Sequence, residues 1–340
     1  MTSIPECFVG IDFHQKFSSV CLMDSNGDVL CEANCESNAN YIDKFVRWKL
    51  GDKQVRLRGA VEACGGTAKL TEDLRQAGWD IDLAHAATVA RLRRCRDKTD
   101  KQDAFVLADL TRVDYLPKVY LAPERQRQLR SLVRYRQALV FQRTQAKQRV
   151  RGLMRECHLV IRGISAWTRA WVCELRLQID RLGEERSWIC ARYLEELDQL
   201  KKKIAEAEKR IAVAVEGLPY VDRLLSLPGV GVTTAATLLA EIGDFSRFAN
   251  GKKLSRYCGV APVNNSTGGN EKQKGIGKAC NGGLRRVIIE LSHRLSRYVP
   301  RWSRMKADLI KQGKSRSVAA VAVANRWLRR LHYDLTATAA

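Results

Sequence analysis

Four carboxylates are spaced so that together they could do chemistry. Asp12 closes the short apolar run 8–12, Glu62 closes a second run that begins at Val55, and Asp100 and Asp103 stand three apart in the segment 98–103. Strand ends deliver side chains to one edge of a sheet, and a three-residue step puts two acids on one helix face. Acids gathered in this way repel one another and resist desolvation, so the cluster calls for divalent cations. Mg2+, or Mn2+ in its place, is the hard, oxygen-seeking guest, and two such ions can clamp the attacking and leaving oxygens of a phosphodiester exchange. Each acid alone has an ordinary structural reading; Asp100, for one, suits a helix N-cap. Asp24, Asp28, Asp80, Asp82, Asp97 and Asp109 read as turn or surface residues, and only the joint pattern of two strand ends and a helix pair singles out the four.

A second centre lies in a glycine-rich stretch, where Ser266 and Thr267 precede Gly268 and Gly269, and Lys272, Lys274 and Lys278 follow. A hydroxyl there could attack a phosphodiester while the lysines stabilise the charge that develops. Ser, Thr, Asn and Gly are equally ordinary turn residues, and Glu271 is the one adjacent carboxylate. The 11 cysteines are scattered without a C-x-x-C pair and the 5 histidines are dispersed. That spacing suits reduced, mostly buried thiols rather than a structural zinc site.

The elements that must position these residues follow from hydrophobic periodicity. The runs 8–12, 18–23 and 29–35, with a turn at 24–28, predict a three-strand meander. A helix around 41–48, a strand over 55–62, a helix over 67–76, a strand over 79–83 and a further helix complete an α/β domain of ribonuclease H topology, over residues 1–120. In that topology the ends of the first and fourth strands are neighbours, and a helix packed beside them can bring all four acids together. The glycine fingerprint of a dinucleotide-binding domain is missing.

Residues 121–217 read as a central helical segment. Eleven Arg and Lys between 125 and 162 face only Glu124 and Glu156, which predicts one long basic helix over 121–162. Arg134, Arg136, Arg143, Lys147 and Arg151 on it are candidate nucleic-acid contacts. Leu197, Ile204 and Ile211 repeat every seven residues, with Leu200, Ala207 and Ala214 three places on, so a coiled-coil seam and an intramolecular helical hairpin are both open. Residues 218–340 read as a mainly α domain. Leu227-Pro228-Gly229-Val230-Gly231 has the form of a helix-hairpin-helix, in which Gly229 and Gly231 let backbone N–H groups approach phosphate. A loop-rich stretch over 257–281 leads to a helix near 284, headed by Arg285 and Arg286, and the tail over 316–332 is apolar and basic at helical spacing.

Composition narrows the function classes. With 45% hydrophobic residues, the 340-residue chain can build cores, which excludes intrinsic disorder. Lys and Arg number 59 against 37 Asp and Glu, a net charge of +22 that points to a polyanionic partner. No run is long and apolar enough for a membrane span, and no leader-like segment opens the chain, so a soluble, cytoplasmic protein is expected.

Taken in order, Gly10-Ile11-Asp12, Val61-Glu62-Ala63-Cys64-Gly65, Lys98-Thr99-Asp100-Lys101-Gln102-Asp103, the 227–231 hairpin, Gly259-Val260-Ala261-Pro262 and the 281–286 segment resemble the DEDD-type insertion-sequence transposases. These are bridge-RNA-guided recombinases with an N-terminal RuvC-like domain and a C-terminal transposase domain. The resemblance spans nearly the full length. It implies that Asp12, Glu62, Asp100 and Asp103 bind Mg2+, and that a serine of the C-terminal domain forms a covalent phosphoserine link to DNA. It further implies a structured RNA encoded by the element that pairs with donor and target DNA, a homo-oligomer (dimer or tetramer) with composite sites, and a bacterial or archaeal host whose nucleoid the protein would join. The family places serine immediately before glycine, whereas here Thr267 precedes Gly268; Ser266 is the expected nucleophile, with Thr267 as the alternative. Two other functions compete: a RuvC-like junction nuclease that uses water, and a nucleic-acid-binding protein without catalysis.

Overall fold

The apolar runs at the N-terminus pair as a meander in the computed structural model, which describes residues 4–92, 99–267, 270–277 and 280–337, with only the backbone described for 264–267 and 270–274. Strand β1 (Glu6–Asp12) pairs antiparallel with β2 (Phe17–Met23), and β2 with β3 (Val29–Glu36). The turn between β2 and β3 is held by Asp24, whose Oδ1 accepts from the N–H groups of Asn26, Gly27 and Asp28. After helix α1 (Ala39–Leu50), β4 (Arg56–Glu62) runs parallel to β1. Helix α2 (Thr67–Gln76) leads to β5 (Asp80–Ala84), parallel to β4. Helices α3 (Ala86–Leu92) and α4 (Asp100–Arg112) precede the two-residue β6 (Lys118–Val119), antiparallel to β5. The sheet order is β3-β2-β1-β4-β5-β6, which is compatible with a RuvC-like fold.

Period-two alternation gives the sheet two apolar faces. Val9, Ile11, Val20, Leu22 and Val61 share one core with Ile42 and Val46 of α1 and Leu70 and Leu74 of α2. Phe8, Cys21 and Met23 point the other way, onto Ala104 and Ala108 of α4. The approach of α4 is unusually close. A Cβ placed on Gly10 would lie 1.8 Å from the carbonyl oxygen of Ala104 and 2.6 Å from the amide nitrogen of Ala108. Glycine on the strand and alanines on the helix let backbone meet backbone here.

The chain divides into two compact units, Met1–Ala122 and Pro123–Ala340. In the second, α5 (Glu124–Glu156) and α7 (Glu184–Ala214) form a long hairpin, linked by α6 (Arg169–Leu177) and a 3-10 turn, Ile179–Leu182. The expected seam meets α5 of the same chain, since Leu200, Ile204 and Ala207 cluster with Leu139. The intramolecular alternative is therefore the one adopted. The basic helix stops at Glu156 instead of running to 162, because the chain turns at His158 with positive φ and buries Leu159 beside Trp171 and Leu175.

Helices α8 (Val221–Leu225), α9 (Val232–Ile242) and α10 (Gly251–Tyr257) follow, and the 257–281 stretch expected as loop contains a β-hairpin, β7 (Pro262–Thr267) with β8 (Asn270–Ile276). Helices α11 (Gly282–Tyr298), α12 (Pro300–Lys311) and α13 (Arg316–Thr336) complete the unit. The sequence reading missed α12, although Pro300 at its first turn is a recognised start signal. Nor does position 217 separate two cores: Leu129 and Val133 of α5 and Ile211 of α7 belong to the same cluster as Leu238, Phe245, Leu291 and Leu328. Buried thiols contribute to both units, and burial pushes the Cys21 thiol up to about 12.

Replacing Gly10 by Ala should destabilise the N-terminal unit by roughly 1–3 kcal/mol, the usual scale of overpacking. Urea unfolding monitored by circular dichroism measures it; an unchanged midpoint would show that α4 stands off freely.

Candidate functional site

The parallel register of β1 and β4 pairs Ile11 with Val61, which sets the ends of the two strands, Asp12 and Glu62, side by side. On the neighbouring face α4 begins at Asp100, and both Asp100 and Asp103 occupy its first turn, where the helix dipole favours negative charge. The cap is Thr99, whose Oγ1 accepts from the Gln102 N–H at 3.3 Å, so Asp100 is not committed to capping. Asp103 is buried at 3% exposure. Because Gly10 seats Ala104 on β1, this first turn is carried to the end of the strand.

His14, which the sequence reading passed over as one of five dispersed histidines, completes the cluster. Its Nε2 lies 3.3 Å from Oδ2 of Asp12 and 3.3 Å from Oδ2 of Asp100. Ligand atoms of Asp12, His14 and Asp100 all fall within 4.8 Å of one another. The signal was its position two residues beyond a strand-end acid. Burial holds the Asp12 carboxyl above its ordinary value; His14 pulls it back, while Asp103, Asp100 and Glu62 push it further up. Three of the acids therefore act electrostatically on the fourth, Asp12. A donor set dominated by carboxylate oxygen, half-desolvated and self-repelling, fits a divalent cation of the Mg2+ or Mn2+ kind.

The basic residues fall into two groups. Arg134 makes a forked pair with Glu241, Nε to Oε1 at 2.8 Å and Nη2 to Oε2 at 2.9 Å, and Glu241 is only 4% exposed. Arg130 adds a contact to Glu241 at 3.5 Å, and Arg136 bonds Glu208 at 2.7 Å. Arg134 and Arg136 are thus engaged by carboxylates of α9 and α7. Further along α5, Arg143, Lys147 and Arg151 follow at four-residue steps, with Lys147 4.9 Å and Arg151 5.7 Å from the Trp167 ring. Burial, then Arg143 and Arg151, pull the Lys147 ammonium below its usual value. Like charges left facing one another in this way favour a bound anion.

Of the remaining candidates, Gly229 holds a positive φ of 79° in the turn before α9, and Gly231 caps that helix without a side-chain bond. Arg285 turns inward to the Gly277 carbonyl and the Cys280 sulfur, while Arg286 is exposed. Ser266 pairs in register with Glu271 and Thr267 with Asn270, so both stand at the far end of the hairpin. Lys272 and Lys274 lie on β8; their side chains, those of Ser266 and Thr267, and the whole of Lys278 lie outside the described residues.

A carboxyl with a raised folded value is more protonated folded than unfolded, so without metal the stability falls as pH rises from 3.8 through Asp12's raised value. Metal affinity should rise over that same window. Asp12→Asn should raise the melting temperature in chelator, flatten this pH dependence and abolish stabilisation by added Mg2+, all read by differential scanning calorimetry. Arg134→Ala should cost about 3 kcal/mol by stranding buried Glu241. Arg143→Gln with Lys147→Gln should leave the melting temperature alone yet lower the salt slope of DNA binding by about 2.

Residues 9–159 match a family model for DEDD transposases of the IS110 type, and residues 221–307 match one described as Transposase IS116/IS110/IS902 family. The transposase for insertion sequence element IS1111A of Coxiella burnetii is 26% identical over 326 residues, covering 94% of this chain and 86% of that protein. The transposase for insertion sequence element IS1328 of Yersinia enterocolitica is 26% identical over 283 residues, covering 79% and 81%. Two matches in chain order, together with relatives aligned over most of the length, carry the conclusion that this chain belongs to the IS110 family of insertion-sequence transposases, enzymes that act on DNA.

Proposed function

We propose that the protein is an RNA-guided DNA recombinase that moves an insertion sequence through a covalent phosphoserine intermediate. The observation that carries the metal-dependent part is the meeting of Asp12, His14 and Asp100, with Glu62 and Asp103 close enough to perturb Asp12. In this reading those five residues hold Mg2+ or Mn2+, which when bound offsets negative charge on phosphate oxygens. His14 adds a nitrogen donor or, when protonated, a countercharge between Asp12 and Asp100.

Ser266 is the nucleophile. Its Oγ attacks phosphorus, its proton leaves, a P–O bond forms, and the bond to the departing strand breaks with the released oxygen taking up a proton. The phosphoserine preserves a phosphodiester bond, so a hydroxyl of a second DNA strand can reverse the step and complete an exchange without an external energy source. Acids and serine belong to separate units, and a homo-oligomer, dimeric or tetrameric, supplies composite sites. An RNA encoded beside the gene pairs with donor and target DNA. Arg143, Lys147, Arg151 and Arg286, with Lys272, Lys274 and Lys278, contact nucleic-acid phosphates, and the Gly229–Gly231 turn acts as a helix-hairpin-helix.

Incubation with the element's flanking DNA, followed by denaturation, tests the chemistry. A protein-linked DNA end that Ser266→Ala abolishes and Thr267→Ala preserves is expected, and Asp12→Ala should reduce it at least 100-fold. Free 5′-phosphates without an adduct would replace this reading with a water-using junction nuclease. Sequencing of RNA that co-purifies tests guidance: one discrete RNA from the flanks is expected, and only mixed host RNA released by salt would refute it.

A further inference from the structure

A cavity of about 920 Å3 opens between α10, the base of the β7–β8 hairpin, α12 and α13. Its floor is apolar: Val260, Pro262, Ile276, Met305, Val318 and Val321 line it. Its rim is cationic, with Lys252, Lys253 and Arg256 on α10 and Arg326 and Arg329 on α13. Among the described residues no acid lines the cavity, and none of these five cations is ion-paired with a carboxylate. The walls are fixed to one another. A Cβ on Gly251 would come within 2.7 Å of the Arg329 Cα, Asn325 Nδ2 donates to the Val260 carbonyl at 3.1 Å, and Ser255 Oγ donates to the Asn325 carbonyl at 3.3 Å.

We propose that this cavity takes an unpaired deoxynucleotide of the DNA strand being processed, its base on the apolar floor and its flanking phosphates on the cation rim. The inference rests on the reading of Ser266 as nucleophile. Charge complementarity decides for a polyanion: an apolar pocket meant for a protein side chain has no need of five uncompensated cations at its mouth. The apolar floor decides for an unpaired base, because a duplex offers phosphates outward and keeps its base faces stacked. The position decides for the DNA strand. Pro262 and Ile276, which wall the cavity, are the first pair of the hairpin that carries Ser266. Ser266 stands four residues along β7 from Pro262, roughly 14 Å at strand rise. A strand lying along the hairpin with a phosphate at Ser266 passes the cavity a few nucleotides away. The cavity would then hold the strand open and set which phosphate reaches the serine.

Fluorescence anisotropy with the full-length protein tests this, using labelled oligothymidylate and an abasic oligonucleotide of equal length at about 0.2 M salt. Oligothymidylate should bind about tenfold more tightly, the scale of base stacking on a side-chain platform. Val318→Asp, at a position 52% exposed and so compatible with folding, should erase that preference, and Arg326→Glu should weaken both ligands. Equal binding of the two oligonucleotides by the unaltered chain, or a preference that survives Val318→Asp, would overturn the proposal. Oligouridylate bound tenfold more tightly than oligothymidylate would assign the cavity to RNA and overturn it equally. The adduct assay, run on the same preparations, separates the two readings: adducts without a base preference refute the cavity alone, and a preference without adducts refutes the serine alone.

Discussion

The contact between Gly10 and the backbone of Ala104 and Ala108 sets the distance between the sheet and α4, and the acidic cluster depends on that distance. Asp12 is two residues along the strand from Gly10, and Asp103 is one residue before Ala104 on the helix. Any side chain at position 10 would meet the helix carbonyl at bonding distance and force the helix away, carrying Asp100 and Asp103 with it. The same geometry presents the helix N-terminus to the strand end, so the helix dipole tempers a concentration of acid that the sheet alone would not tolerate. Asp12 still carries a raised carboxyl value, caused first by burial and then by the neighbouring acids, and a cation would relieve both.

The excess of positive charge is not spread evenly in role. Near the start of α5, Arg130, Arg134 and Arg136 hold the helix to α9 and α7 through Glu241 and Glu208. Removing Glu241 from water is tolerable only because a planar guanidinium satisfies both its oxygens. Toward the far end of α5, cations meet cations and the ring of Trp167, with no carboxylate answering Lys147 among the described residues. One helix thus carries both the internal ion pairs that anchor it and the exposed charge that a nucleic acid would neutralise.

Anchoring also explains why the second unit is one body. Leu129 and Val133 face Leu238 and Phe245, and Ile211 at the end of α7 joins the same core, so the long hairpin grows out of the C-terminal helices. Its other end closes on its own small core around Trp171, Leu175 and Leu194. The Leu197-Ile204-Ile211 spacing, which resembles a coiled-coil seam, is satisfied largely within the chain.

Much of this was legible in the residues. Period-two runs and the Asp24 turn determined the meander, the glycines and charge pattern bounded α2 and α5, and the four acids stood out because strand ends and a helix start are positions where chemistry-bearing side chains gather. The motifs in their order also pointed to the transposase family. Other features were settled only by long-range contacts. His14 joins Asp12 and Asp100 because a separate helix arrives beside the strand, an event that no local spacing encodes. Arg134 and Arg143 look alike in sequence, and only the approach of Glu241 from more than a hundred residues away makes one structural and leaves the other without a carboxylate partner among the described residues. The hairpin over 262–276 forms although its turn-rich composition reads as loop, because pairing of its own two strands satisfies backbone groups that local propensity left open. Sequence determined which elements form and where acid and base lie along them; tertiary structure decided which of those charges meet, because burial and Coulombic coupling depend on distances that only packing sets.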